Sequence, residues 1–233
     1  MRVQLFGALL SVGLGFGCTG DKSAGPEPVV SLAKAPTADG DRQSWTTGHT
    51  LPQPLRVVVT RDGLPVGAQG VEWLADSGQG RFSPPTSITG PDGVAITRWT
   101  LGTHAGLYQS RVQLAGQANT AVTFSATAVP NFPFTMGISS GDGQSGPVNS
   151  TLTEPLVARV GDEFNNAFPG ASVEWLILSG DATLGTTTKI TDSDGLTTAT
   201  INFGPTPGPI QVQARLPGNQ SALNVVFQLT ATP

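Results

Sequence analysis

The sequence predicts an all-β chain built from two copies of one sandwich-like unit. Three observations predict it. Val71-Glu72-Trp73 returns as Val173-Glu174-Trp175, 102 positions later and in matching surroundings. Apolar and polar residues alternate in short runs, the period of a strand with one buried face. Glycine and proline, 30 and 19 of the 233 residues, punctuate those runs. Such a density suits short strands and turns and would damage long helices.

Composition narrows the function classes. Charged residues make up 12% of the chain, with a net charge of −4. The twelve Lys and Arg form no basic stripe, so the clustered cations that a nucleic-acid binder uses to displace counterions are missing, and no nucleic-acid partner is expected. Cys18 is the single cysteine. A disulfide within the monomer is therefore impossible, and stability has to come from burial, for which units of roughly 100 residues are large enough.

In chain order, residues 1–17 read as a signal peptide: Met1-Arg2, then a mostly apolar run from Val3 to Phe16, too short for the ~20 residues of a membrane span. Cys18 ends that run, and the polar Thr19-Gly20-Asp21-Lys22-Ser23 follows. The cysteine makes the segment resemble a lipoprotein signal, which implies lipidation at Cys18 and a membrane partner through the lipid. Phe16 departs from the lipobox pattern, and Gly15 and Gly17 also fit an ordinary signal-peptidase site, so plain secretion and an uncleaved anchor stay open. Thr19, where an aspartate would mark inner-membrane retention, points to the outer membrane. Residues 18–28 are then the anchor cysteine and a flexible tether.

The two units are expected over 29–129 and 130–233. Strands are predicted near Val29–Lys34, Leu51–Arg61, Gln69–Ala75, Val94–Leu101, Gly106–Leu114 and Thr120–Ala128 of the first. The second offers Phe132–Ser139, Leu152–Val160, Ala171–Leu178, Gly195–Phe203, Pro209–Arg215 and Leu223–Ala231. Short edge strands are expected at Arg81–Phe82, Ser87–Thr89, Thr183–Leu184 and Thr187–Thr191. Asp62-Gly63, Asp92-Gly93 and Asp194-Gly195 are turn dipeptides. Trp73 and Trp175 lie mid-strand with a valine two residues before on the same face, and are predicted as structural core. Trp45, placed in a loop, is the candidate surface-binding residue.

As a set, these motifs resemble the bacterial Ig-like domain family, group 1, of the invasin/intimin type. Copy two carries Gly141-Asp142-Gly143-Gln144-Ser145-Gly146 and Thr191-Asp192-Ser193-Asp194-Gly195. Copy one carries Gly63-Leu64-Pro65-Val66 and ends Val122-Thr123-Phe124-Ser125-Ala126-Thr127-Ala128. Copy two departs from the pattern at Asn165-Asn166-Ala167-Phe168. The resemblance implies two tandem immunoglobulin-like β-sandwiches without disulfides, used as a stalk or display module on a bacterial surface. It carries no receptor-binding tip over to this chain.

Catalytic constellations are not legible. His49 and His104 are replaced by Ser150 and Thr206 in copy two and are expected as solvated turn residues. Asp192-Ser193-Asp194-Gly195 lacks the later ligands of a calcium loop and is expected as a capped turn. Glu72 and Glu174 are expected to face solvent or an edge. The junction Val129-Pro130-Asn131-Phe132-Pro133 holds no carboxylate, so prolines are expected to limit bending there. No cofactor and no metal are expected. The favoured reading is a non-enzymatic, lipid-anchored surface module. The alternative is a secreted or periplasmic module that binds a glycan or protein through its loops, with Trp45 and the loop 78–86 foremost.

Overall fold

The computed structural model describes residues 29–220 and 222–233. The stretch read as a signal peptide, Cys18 and the expected tether fall outside the described residues. Ten strands form the first unit: β1 (Val30–Lys34), β2 (Gln43–Thr46), β3 (Leu55–Arg61), β4 (Leu64–Pro65), β5 (Gly70–Ala75), β6 (Arg81–Ser83), β7 (Thr86–Ile88), β8 (Val94–Thr100), β9 (Gly106–Leu114) and β10 (Gln117–Val129). One sheet runs β1-β3-β8-β6, with β4 on β3, and the other β2-β10-β9-β5-β7.

The second unit repeats the plan with β11 (Thr135–Ser140), β12 (Ser145–Pro147), β13 (Leu156–Gly161), β14 (Ser172–Ser179), β15 (Ala182–Leu184), β16 (Thr188–Ile190), β17 (Leu196–Ala199), β18 (Ile201–Phe203), β19 (Gly208–Arg215) and β20 (Asn224–Thr232). Its sheets run β11-β13-β17 and β12-β20-β19-β14-β16, with β15 paired to β18. The expected single strand Gly195–Phe203 is thus two. Between them Thr200 gives its carbonyl to the Gly185 amide (3.0 Å) instead of continuing one ladder. One 3-10 turn, Gly218–Gln220, precedes the last strand.

Alternation does what it should. Leu55, Val57 and Val59 of β3 point inward, as do Val71 and Trp73 of β5 and Val173 and Trp175 of β14. Each unit closes on its own core. Burial of such side chains is the main stabilising term, about 1.5–3 kcal/mol for each fully buried Val, Leu, Ile or Phe.

Besides the two-residue β4, two strands were not predicted by alternation, β2 and β12. Each pairs in parallel with the end of its unit's last strand, Gln43 to Thr46 against Ala126 to Val129 and Ser145 to Pro147 against Thr230 to Thr232. Trp45 therefore lies in a strand, opposite Ala128, and not in a loop. The reason is the Gly-Asp-x-Gln-Ser motif, which acts as a staple in both copies. Gln43 Nε2 donates to the carbonyls of Gly40 (2.7 Å) and Gln53 (2.9 Å), and Gln144 Nε2 to those of Gly141 (2.7 Å) and Glu154 (3.1 Å). The Asp41 carboxylate accepts the Ser125 amide at 2.8 Å, and Asp142 that of Gln228 at 2.7 Å. Glycine is required at the head of the staple. Gly40 and Gly141 sit at φ +80° and +89°, and a Cβ there would lie 2.2 and 2.4 Å from the carbonyl oxygens of Pro54 and Pro155.

Candidate functional site at the joint between the units

The two units meet through a loop, not only through the prolines of the junction. The loop is Asp162-Glu163-Phe164-Asn165-Asn166, between β13 and the Gly161–Ala167 bridge. It closes on itself first. The Asp162 amide donates to the Asn166 carbonyl and the Asn165 amide to the Asp162 carbonyl, both at 3.0 Å. Asn165 takes the left-handed conformation (φ +62°), which asparagine tolerates better than most residues.

This turn aims Asp162 at the first unit. Its side chain is fully buried, an uncommon place for a carboxylate unless its charge is matched by donors. Here they converge. Oδ1 accepts the amides of Phe164 and Asn166, each at 2.9 Å, and Oδ2 accepts the Thr47 hydroxyl of the first unit at 3.0 Å. Asn166 Nδ2 lies 3.1 and 2.9 Å from the two carboxylate oxygens. Burial pushes the Asp162 carboxyl up, but the Asn166 side chain and amide, the Thr47 hydroxyl and the Phe164 amide outweigh it and hold it below the ordinary aspartate value.

Asn166 then bridges outward. Its Nδ2 donates to the Thr103 carbonyl and its Oδ1 accepts the Ala105 amide, both at 2.8 Å and both in the turn before β9. Phe164 rests its ring on Gly48, where a Cβ would stand 2.9 Å from the ring. Three side chains of one loop thus grip two turns of the neighbouring unit, 46–49 and 102–105. The carboxylate that the junction sequence lacks is supplied from about 30 residues downstream. His49 and His104 sit in these gripped turns, exposed. His49 Nδ1 lies 2.8 Å from the Thr47 carbonyl, and the His104 carbonyl accepts the Tyr108 hydroxyl at 2.8 Å.

The remaining sequence-level candidates lie elsewhere. Trp73 and Trp175 are 3% and 1% exposed. Trp45 is 42% exposed on β2, an outer strand of its sheet. Asp192 caps its turn, accepting the amides of Asp194 and Leu196 at 2.9 Å. Glu72 accepts Gln113 Nε2 at 2.8 Å, and Glu174 pairs with Arg215 at 3.0 Å. Among the described residues no group of His, Cys, Asp or Glu is placed to hold a metal ion. Sequence reasoning missed Asp162, Phe164 and Asn166. One signal could have found them: the repeat offset grows from 101 at Leu55/Leu156 to 102 at Val71/Val173, so this stretch carries an extra residue.

Residues 142–228 match the family model of the bacterial Ig-like domain (group 1). The second unit is a group 1 bacterial Ig-like domain. The first shares its strand order, so the chain is a tandem of two disulfide-free Ig-like β-sandwiches. Among solved structures the tandem is similar to the Escherichia coli adhesin FdeC, at 20% identity and a TM-score of 0.55, over 88% of this chain and 62% of that one. Yersinia pseudotuberculosis InvD matches at 18% identity and a TM-score of 0.51, over 88% of this chain and 57% of that one. The D00-D0 domain of intimin matches at 16% identity and a TM-score of 0.43, over 88% of this chain and all of that one. At such identities the likeness to FdeC and InvD establishes the fold alone. The chain spans about three fifths of the FdeC and InvD chains. No curated protein sequence matches it.

Proposed function

We propose that this Ig-like tandem is a non-enzymatic module of the bacterial cell envelope, tethered through a lipid on Cys18 and presented at the cell surface for display or adhesion. The observation that carries the reading is the joint. Asp162, Phe164 and Asn166 tie the two sandwiches together through buried and backbone-directed contacts, as a spacer needs if its far end is to stay away from the membrane. FdeC, whose fold this chain shares, is an adhesin. Cys18, at the end of the apolar run, supports the anchor.

The test is protease shaving of intact cells that express either the wild type or Cys18→Ala. The expected result is wild-type protein in the membrane fraction and stripped by protease, with the variant released to the periplasm or medium. Protein that resists protease in both forms and stays with the cells overturns the surface reading.

A further inference from the structure

Beside the grip of Asp162 and Asn166 the two domains leave a cleft of about 420 Å³. That volume lies within the range of ligand pockets, roughly 300–1,000 Å³, and domain junctions are where such pockets collect. It is lined by Arg81 at the start of β6, His104 in the gripped turn, and Phe164 from the second domain. Gly78, Gly80 and Gly102 also line it.

Three features single it out. The Arg81 guanidinium and the His104 ring have no hydrogen-bond or ion-pair partner among the described residues, and both side chains are exposed. Phe164 is 40% exposed after packing on Gly48, so part of its ring faces the cleft. Arg81 and His104 are replaced by Thr183 and Thr206 in the second domain. They do not belong to the shared framework, and they stand at the one end of the first domain that meets the second.

We propose that this cleft binds a carboxylated sugar, such as a uronic or sialic acid residue of a glycan. A free guanidinium matches a planar carboxylate in two parallel hydrogen bonds. An exposed phenyl ring suits the apolar face of a pyranose, and the His104 ring serves a neighbouring hydroxyl. A neutral sugar leaves Arg81 unmatched, and a bare phosphate leaves Phe164 unused. The site gives a ligand class to the adhesive reading and rests on it. It places recognition at the waist of the tandem and uses loop 78–86 through Arg81, whereas Trp45 does not line it.

Calorimetric titration of the purified full chain tests it, with a galacturonate trimer, sialyllactose, lactose and a triglutamate peptide as probes. The expected result is binding of the two acidic saccharides with Kd on the order of 1 mM and none of lactose. Arg81→Gln, which touches none of the joint's hydrogen bonds, should weaken binding about tenfold. Phe164→Leu should weaken it as well, in a sample whose solution scattering still matches the wild type. Equal binding of lactose, an unchanged affinity for Arg81→Gln, or no saccharide binding at all overturns the proposal. Binding of triglutamate as strong as that of the saccharides reassigns the cleft to acidic peptides and overturns it too. Shaving of cells decides surface exposure separately, so either reading can fail alone.

Discussion

The two domains share a strand plan but fill their cores differently. The first is aromatic. Trp73 lies 6.1 Å from Phe82 and 6.2 Å from Phe124, Phe82 lies 5.5 Å from Trp99, and Trp99 lies 6.4 Å from Tyr108. In the second, the places of Phe82, Trp99 and Tyr108 are taken by Leu184, Ile201 and Ile210, and among the described residues Trp175 has one ring neighbour, Phe227 at 5.6 Å. The polar ends of the indoles differ as well. Trp73 Nε1 donates to the Ser87 hydroxyl at 2.7 Å. At the matching position the second domain has Lys189, which reaches out to the Thr198 hydroxyl, and Trp175 Nε1 is buried without a partner among the described residues. One fold thus tolerates two solutions for its central tryptophan, provided the ring's volume is kept. The hydrogen bond is optional and the volume is not.

The largest effect should come from removing that volume. Trp73→Ala and Trp175→Ala should each cost about 3–5 kcal/mol in the domain that carries the change, with the greater loss in the first, where two rings and a serine lose their neighbour. Denaturant melts that resolve the two domains check it. An equal or smaller loss for Trp73→Ala would mean that the aromatic network adds nothing beyond burial.

Next in size is the joint, where the comparison becomes a coupling. Asp162→Ala leaves the Thr47 hydroxyl and two loop amides without their acceptor, and Asn166 Nδ2 with the Thr103 carbonyl alone, at a cost of about 1–3 kcal/mol. Calorimetry should show the two domain transitions moving apart, and solution scattering a wider spread of interdomain angles. Acid should imitate the variant. Because Asp162 titrates below its unfolded value of about 3.9, its contribution is complete above that pH. It is lost as the pH falls further, through the folded value. A joint that stays tight in Asp162→Ala would show the loop to be a bystander.

The smallest effect is a gain. Lys189→Ser would offer Trp175 the hydroxyl that Ser87 offers Trp73, and should stabilise the second domain by about 1 kcal/mol. No gain in its melting midpoint would show that the buried N–H is already satisfied.

Much of this was legible in the sequence, because strand alternation has a period of two and the chain states it twice. β9 begins and ends where the pattern does, Gly106–Leu114. The valine-x-tryptophan pairs point to the core in both copies. What escaped was held by contacts distant in sequence. β2 and β12 are four and three residues long, too short to show a period, and they form only because a staple brings them to strands more than 80 residues away. The joint escaped for a related reason. Asp162 to Asn166 is polar apart from Phe164, and nothing local separates a loop that faces water from one that faces another domain. The departure of Asn165-Asn166-Ala167-Phe168 from the family pattern marked the place but not its meaning.

The parallel pairing of β2 with β10, repeated by β12 and β20, has a mechanical consequence. Because the two strands run the same way, β2 is entered at one pole of the sandwich and β10 is left at the other. Tension applied along the chain would pull them past each other lengthwise. Their hydrogen bonds would then resist together, in shear, and would not peel open one at a time.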